Sequence, residues 1–187
     1  MNDAHLEFCA SPEWRQILEE QILPDALSDV DLGEDVIEIG PGPGLTTDVL
    51  RTLTERLTVV EFDPQLAASL EGRLSSSNVE VLWGDAADLD LPDGRFTGAV
   101  SFHMIHHMAT AHLQDRAFSE LARVLRKGGA LVVADAGFSE GSRLFHEDDI
   151  YTPIEPDELD RRLSEAGFVS IEVKNHDLGW FCQAVAA

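Results

Sequence analysis

The stretch Asp35-Val-Ile-Glu-Ile-Gly-Pro-Gly-Pro-Gly-Leu-Thr46 decides how the rest of the chain is interpreted. Residues 36–39 predict a short buried strand, three glycines alternate with prolines directly after it, and a helix starts near Thr46. Glycine is needed in such a turn because a Cβ would keep a ligand away from the backbone. The free N–H groups at the start of the helix would then face that ligand. The stretch therefore predicts a nucleotide-sized cradle.

The spacing of these glycines favours one class of cofactor. A dinucleotide fingerprint has the pattern Gly-x-Gly-x-x-Gly, but here the third glycine, Gly44, comes one residue early, and Glu38 lies two residues before the first. This spacing disfavours a nicotinamide-dependent oxidoreductase. A tight Gly/Pro turn that binds no ligand would look similar. The choice between a cofactor-binding turn and a ligand-free turn therefore depends on the later strands of the chain.

Length and charge limit the classes of function. A chain of 187 residues with 44% hydrophobic content suits one compact domain over residues 1–187. Thirteen basic and thirty-five acidic residues give a formal charge of −22, which repels nucleic-acid phosphates and anionic lipids. The basic pairs Arg126-Lys127 and Arg161-Arg162 are expected to be solvated on helix surfaces. We therefore expect neither a nucleic-acid nor a membrane partner.

Cysteine usage and the N-terminal sequence predict a cytoplasmic protein. Cys9 and Cys182 lie far apart without metal-ligand spacing, which indicates free thiols in a reducing compartment. The first residues lack a basic region followed by an apolar run, and no apolar stretch approaches the roughly 20 residues that span a bilayer.

Two segments outside the regular pattern are expected to cover the ligand. Ser11-Pro12 predicts the start of a helix whose apolar stripe includes Trp14, so residues 1–32 are interpreted as an N-terminal helical lid or cap. Residues 24–33 show no clear element. Residues 137–154 show no sustained periodicity, and so long a connection predicts a functional, substrate-side segment.

Between these segments strands and helices alternate, which indicates an α/β fold with a largely parallel sheet. The helices after the glycine turn are predicted from Pro64, over Ala111–Arg126 with Lys127-Gly128-Gly129 as its end, and from Pro156 to Gly167. The later strands are predicted at 57–62, 78–83, 97–102, 130–135, 168–173 and 179–185.

Four polar residues follow strands at one edge of this sheet: Glu38, Glu61, Asp85 and Ser101. Ligands of open α/β sheets bind at the carboxyl ends of the strands, so we expect these residues to share one crevice. Glu61 lies about 20 residues beyond the glycines, where a carboxylate can accept hydrogen bonds from both ribose hydroxyls. Asp63 is the alternative for that role, but it is better explained as a helix cap.

These motifs resemble the class I S-adenosylmethionine-dependent methyltransferases over about residues 33–174. The residues after strand four are similar to the methyltransferase type 11 group, and residues 123–133 are similar to the family signature before the fifth strand. The resemblance implies a Rossmann-like three-layer sandwich with helices on both faces of a seven-stranded sheet, ordered 3-2-1-4-5-7-6 with the last strand antiparallel. It implies S-adenosylmethionine as cofactor and S-adenosylhomocysteine as product. The cofactor-binding positions that it assigns are Glu38, Gly40, Pro41, Gly42, Gly44, Glu61, Phe62, Asp85, Ala86 and Ser101.

The front half also resembles the rRNA adenine dimethyltransferases. Those enzymes carry an Asn-Leu-Pro-Tyr type motif after strand four, where this chain has Ser101-Phe102-His103-Met104. The difference and the acidic charge favour a small-molecule acceptor over RNA.

Histidines are the candidates for a general base, since imidazole titrates near neutrality. Of those at 103, 106, 107, 112 and 146, we favour His106 and His107, just after strand four. They are alternatively residues that shape the pocket, because adjacent side chains do not both point inward. A metal is not predicted, because the triplet at 103, 106 and 107 lacks a carboxylate or cysteine at defined spacing.

The sequence thus predicts an S-adenosylmethionine-dependent methyltransferase that acts on a small molecule. A non-catalytic module that binds S-adenosylmethionine for regulation is the first alternative, and an RNA adenine methyltransferase is a less favoured one. The methyl acceptor, the use of a base and the oligomeric state stay open.

Overall fold

The sheet has the predicted topology. The computed structural model describes residues 2–187, apart from the side chain of Asp3. Its strands are β1 (Asp35–Ile39), β2 (Arg56–Glu61), β3 (Val79–Trp83), β4 (Phe96–Phe102), β5 (Leu125–Asp135), β6 (Phe168–His176) and β7 (Gly179–Ala186). They form one seven-stranded sheet in the order β3-β2-β1-β4-β5-β7-β6. Strands β1 to β5 pair in parallel, while β7 is antiparallel to both of its neighbours. The predicted order and the antiparallel last strand are confirmed.

Ten helical segments accompany the sheet among the described residues. They are α1 (Asp3–Cys9), α2 (Pro12–Ile17), a π-helix (Leu18–Ile22), α3 (Leu23–Ala26), α4 (Leu45–Leu50), α5 (Pro64–Leu74), a 3-10 turn (Ile105–His107), α6 (Ala111–Val124), α7 (Glu140–Phe145) and α8 (Pro156–Ala166). The Ser11 hydroxyl accepts the Trp14 N–H before α2, and the Asp63 carboxylate accepts the Gln65 and Leu66 N–H groups before α5. Asp63 is therefore a helix cap, as predicted.

Two apolar clusters cover the two faces of the sheet. Ile37 and Ile39 of β1 belong to the cluster that includes Phe118 and Leu121 of α6. Val36 points to the opposite face and belongs to the cluster of the π-helix, α3 and α4. Alternate residues of a strand face opposite sides of a sheet, so both faces of β1 are buried. The three-layer architecture is confirmed.

Several local predictions differ from the structure. No element was predicted for α1, α3 or α7, which are short helices that lack a sustained apolar period. Helix α6 ends at Val124 instead of Arg126, because Leu125 is already extended and pairs with Phe96 as the first residue of β5. The register of that pairing shifts between Phe96 and Gly98, and Gly128 has a φ of 80° within β5 instead of capping the helix.

The surface prediction was wrong for one basic residue. Arg162 is buried, with 4% of its side chain exposed, whereas its neighbour Arg161 is exposed. In the part of the chain that the structure describes, none of the helices has the length and apolar character needed to cross a membrane.

Candidate active site

A cavity of about 510 Å³ lies at the carboxyl ends of β1, β2, β3 and β4. The backbone segments that line its floor are 40–43, 60–63, 84–86, 102–104 and 107–109. Side chains of α1, α2 and the π-helix cover it from one side, and residues 149 and 150 of the connection after β5 close another. The two segments expected to act as a cover, 1–32 and 137–154, therefore both contribute to the wall of this cavity.

The glycine turn serves both the fold and the cavity. Gly40, Gly42 and Gly44 have φ values of 64°, 55° and 85°, which favour glycine. A Cβ on Gly40 would collide with the Met104 side chain, so the fold itself needs glycine there. A Cβ on Gly42 would meet no atom within 4 Å, because that position faces the cavity. The open space beside Gly42 is where a ligand can contact the backbone.

The Glu61 carboxylate is held at the cavity wall by two backbone groups. Its Oε2 accepts the Gly42 N–H at 2.9 Å, and its Oε1 accepts the Asp63 N–H at 2.9 Å. Burial raises the pKa of Glu61, although these two hydrogen bonds oppose the shift. Glu61 thus joins the end of β2 to the glycine turn, and it lines the cavity as predicted.

Glu38 lies behind the cavity wall. The hydroxyl of Thr46 donates to one carboxylate oxygen, and the hydroxyl of Thr47 donates to the other at 2.6 Å. Burial raises the pKa of Glu38 to about 7 against the effect of both hydroxyls. Thr46 itself lines the cavity, so its side chain lies between Glu38 and a ligand bound there.

The other predicted cofactor positions divide into two groups. Pro41, Phe62, Asp85 and Ala86 line the cavity, and Asp85 Oδ1 accepts the Ala87 N–H at 2.8 Å. Ser101 does not line it. Ser101 is fully buried, and its hydroxyl has no hydrogen-bond partner among residues 2–187. The structure therefore corrects the placement of Ser101, which is not part of the cavity lining although the next residues, Phe102 and His103, are.

The two histidines predicted as candidate bases have different surroundings. His107 lines the cavity, as does His103, which adopts a left-handed φ of 52°. His106 is buried behind the wall, where its Nδ1 is hydrogen-bonded to Asp135 Oδ1 and its backbone N–H donates to Asp135 Oδ2 at 2.9 Å. His106 is therefore not part of the cavity lining, in contrast to the prediction that it faces the acceptor.

The structure brings four histidines together: His5, His106, His107 and His146. One potential ligand atom from each lies within 4.8 Å of the others. Burial and the neighbouring imidazoles lower the pKa of His5 to about 4 and of His107 to about 3, and burial lowers the pKa of His146. These three side chains are therefore neutral at pH 7. The sequence did not predict this group, because His5 lies in α1 and His146 follows α7, far from strand four.

Asp135 is a further residue of this region that sequence reasoning missed. Burial alone would raise the pKa of the Asp135 carboxyl, but His106 outweighs burial and keeps the pKa below its usual range. Its position at the end of β5 was the available signal, since β5 is the next strand after β4 along this sheet edge.

Known proteins are similar to this chain over most of the sheet. A family model described as "Methyltransferase domain" matches residues 37–133, which run from β1 through most of β5. The chain belongs to this family of methyltransferases. A probable S-adenosylmethionine-dependent methyltransferase of Mycobacterium tuberculosis is 33% identical over 145 residues, which cover 73% of this chain and 49% of that protein. The predicted family and its cofactor, S-adenosylmethionine, are confirmed.

A second relative is named as an RNA methyltransferase. This methyltransferase chain is 39% identical to a probable ribosomal RNA small subunit methyltransferase A of Methanothermobacter thermautotrophicus over 119 residues, 61% of the chain and 43% of that protein. The chain thus spans about half the length of the curated relatives that it matches. The expectation that nucleic acid is not a partner finds no support in this relative.

Solved structures share the fold of this methyltransferase. The PH0226 protein of Pyrococcus horikoshii has a TM-score of 0.80 at 17% identity, with 95% of this chain and 92% of that chain covered. The Rossmann-like methyltransferase fold is therefore confirmed over nearly the full described chain.

Proposed function

We propose that this protein transfers a methyl group from S-adenosylmethionine to a small-molecule acceptor bound in the same cavity. The observation that carries the proposal is the continuity of the cavity, which extends from the glycine turn to His107 and Asp149 under α1 and α2. Its volume of about 510 Å³ lies within the roughly 300–1,000 Å³ typical of small-molecule sites. A cofactor against the glycines leaves the far end for an acceptor.

The residues at the glycine end fit the cofactor. Gly42 leaves space for a ligand at the backbone, and Glu61 presents two carboxylate oxygens that suit a pair of ribose hydroxyls. We assign Asp85 and Ala86 to the adenine end, since both line the cavity beyond β3. Glu38 supports this end of the cavity through Thr46. S-adenosylmethionine supplies an already activated methyl group, so the main tasks of the chain are alignment and exclusion of water.

The residues at the far end fit an acceptor that is largely enclosed. Leu6, Trp14 and Leu18 supply apolar surface, and the Trp14 ring lies edge-on to the His103 ring at 4.9 Å between centroids. Such surface excludes water from the methyl group. A base is needed only if the acceptor loses a proton in the reaction. Of the two histidines favoured from the sequence, His107 is the one positioned to contact an acceptor, and His103 is a second candidate.

An RNA acceptor is the alternative that the Methanothermobacter thermautotrophicus relative favours. Against it stand the formal charge of −22 and the segment Ser101-Phe102-His103-Met104, of which the last three residues line a covered cavity. A regulatory module without turnover is the remaining alternative. It requires the same cofactor site but has no acceptor to which the methyl group is transferred.

The first test is the affinity for S-adenosylmethionine and S-adenosylhomocysteine, measured by calorimetry. We expect micromolar binding to the wild-type protein and a loss of about 10- to 100-fold in Glu61→Ala, since a charged hydrogen bond contributes roughly 1.5–3 kcal/mol. Glu71→Ala is the matched control, because Glu71 is exposed on α5 and its loss changes the net charge equally. Absence of binding to the wild-type protein would refute the proposal.

A second test identifies the acceptor class. Methyl transfer from radiolabelled S-adenosylmethionine is measured to a small-molecule extract and, separately, to ribosomal subunits and transfer RNA. Label in the small-molecule fraction supports the proposal. Label only in RNA favours the RNA alternative, and binding without any transfer favours the regulatory module.

A further inference from the structure

The four histidines His5, His106, His107 and His146 form a cluster whose hydrogen bonds fix the protonation of two rings. Asp135 Oδ1 is hydrogen-bonded to His106 Nδ1, and the Ser142 carbonyl oxygen lies 2.6 Å from His146 Nδ1. An ionised carboxylate and a carbonyl only accept, so both Nδ1 atoms must carry a proton. In the neutral rings the lone pairs are therefore on Nε2.

These two Nε2 atoms face each other. His106 Nε2 lies 3.1 Å from His146 Nε2, and both rings are buried. Two lone pairs at this distance repel each other unless a positive species lies between them. A proton or a metal ion is able to provide this.

A single proton leaves the rest of the cluster unsatisfied. The Nδ1 atoms of His5 and His107 are buried and have no hydrogen-bond partner among the described residues. A buried nitrogen without a partner is unfavourable, because it has given up its hydrogen bond to water. A proton shared by His106 and His146 does not reach these two atoms. A metal ion would accept lone pairs from all four rings.

We propose that His5, His106, His107 and His146 bind one divalent transition-metal ion, of which zinc is the representative. Zinc takes imidazole nitrogens in a tetrahedral arrangement at about 2.0–2.1 Å, which sets the spacing between ligand atoms at ~3.3 Å. The 3.1 Å between the two Nε2 atoms is close to that spacing. The widest spacing in the cluster, 4.8 Å, exceeds it by ~1.5 Å, so metal binding must draw the ligand atoms closer together.

The surroundings are those of a metal site. Histidine ligands of metals usually donate their second ring N–H to a carboxylate or a backbone carbonyl, which fixes the ring. Asp135 does this for His106, and the Ser142 carbonyl does it for His146. The Asp149 carboxylate adds negative charge, with Oδ2 3.6 Å from His5 Nδ1 and 4.0 Å from His107 Nδ1. An imidazole set favours zinc, copper, iron or nickel over magnesium or calcium.

The position of the site indicates its role. Its ligands come from α1, from the 3-10 turn after β4 and from the residue directly after α7. A metal ion there links the N-terminal cover and the connection after β5 to the central sheet beside the cavity.

Metal binding also changes which histidine can act as a base. As a ligand, His107 is no longer available as a base, which leaves His103 as the histidine that can accept a proton in the cavity. The inference is independent of the proposed methyl transfer.

Metal binding is tested directly, without substrate. Protein prepared without a histidine tag is stripped with a chelator and titrated with Zn²⁺ by calorimetry and with Co²⁺ by visible absorption. We expect one equivalent to bind with submicromolar affinity, and the Co²⁺ protein to show the intense bands of tetrahedral coordination. His146→Gln should weaken Zn²⁺ binding at least 100-fold and abolish these bands.

The controls separate the cluster from adventitious sites. His112→Gln removes an exposed histidine outside the cluster and should bind Zn²⁺ as the wild type does. Circular dichroism checks that His146→Gln folds, and His5→Gln, on the first helix, gives a second test if it does not. The inference is wrong if the wild-type protein binds no metal tighter than about 10 µM, in which case the pair His106 and His146 shares a proton. It is equally wrong if His5→Gln and His146→Gln bind Zn²⁺ as tightly as His112→Gln. Binding of S-adenosylmethionine, measured separately, shows whether the proposed methyl transfer stands or fails on its own.

Discussion

The Glu61 side chain and the Gly42 backbone hold each other in position through one hydrogen bond. The carboxylate at the end of β2 accepts the N–H of the central glycine of the turn after β1 at 2.9 Å, and the same carboxylate is held from its other side by Asp63. The turn therefore keeps its left-handed conformation and the carboxylate keeps its direction into the cavity. The cofactor end of the site is preorganised before any ligand binds, which reduces the entropy lost on binding.

Gly42→Val is expected to abolish cofactor binding while the fold persists. The new side chain has no protein atom to clash with, but it fills the cavity beside the backbone and adopts a φ of 55°. A left-handed conformation costs a branched residue roughly 1–2 kcal/mol. We expect the affinity for S-adenosylhomocysteine to fall at least about 100-fold by calorimetry, with a loss of unfolding free energy of that size. Affinity equal to that of the wild type would show that no ligand approaches this glycine.

Gly72→Val is the control for this prediction. Gly72 is also open, with no atom within 4 Å of an added Cβ, but it lies in α5 and does not line the cavity. Its affinity for S-adenosylhomocysteine should equal that of the wild type.

The second prediction concerns stability as a function of pH. The pKa of Glu38 rises from its ordinary 4.5 to about 7 in the folded protein, because burial disfavours the charged carboxylate and the nearby carboxylates Glu61 and Asp48 add to it. Between about pH 4.5 and pH 7, Glu38 therefore holds a proton in the folded state that it has lost in the unfolded state. The stabilisation from neutral Glu38 is fully present below about pH 4.5 and is lost as pH rises through about 7.

Glu38→Gln should remove this dependence, since its amide still bonds Thr46 and Thr47 and does not titrate. Urea unfolding at pH 4.5 and pH 8 measures it. Between these values, the unfolding free energy of the wild type should fall relative to that of Glu38→Gln by on the order of 3 kcal/mol. A difference between the two proteins that is constant with pH would mean that Glu38 titrates as an ordinary carboxyl.

The parts of the site that were predicted correctly are set by local sequence. The strand, glycine turn and helix at 35–50 and the caps at Ser11 and Asp63 each depend on neighbouring residues, so their pattern is visible in the sequence. The strand order came from a family resemblance that rested on these same motifs. Glu61 and Asp85 lie at the cavity because the carboxyl ends of parallel strands meet at one edge.

The parts that were missed depend on contacts between distant segments. His5 and His146 meet only because α1 and α7 both pack beside the turn after β4, and neither helix has a clear apolar period. Ser101 is buried outside the cavity lining, and the sequence alone does not fix which residue at the end of a strand reaches the cavity. The burial of Arg162 was not visible either, because its partners come from α6.

Arg162 provides the third prediction, since it connects α8 to the turn that carries His106. Its Nε donates to Asp115 Oδ1 at 2.6 Å and its Nη2 donates to Gln114 Oε1 at 2.9 Å. The Gln114 amide donates in turn to the carbonyls of Ile105 at 3.1 Å and Thr152 at 2.7 Å. One guanidinium thus orients the amide that holds both the 3-10 turn and the end of the connection after β5.

Arg162→Met is expected to lower the unfolding free energy by about 2–3 kcal/mol, since it removes charge-assisted hydrogen bonds from a buried position. Arg161→Met is the matched control, because the adjacent Arg161 is 61% exposed and pairs only across the helix surface with Glu165 among the described residues. That change should stay within about 0.5 kcal/mol. Urea unfolding of both variants at one pH and salt concentration measures the difference. Equal losses would show that the guanidinium of Arg162 is solvated, and that the turn carrying His106 and His107 is held by its own backbone rather than by Gln114.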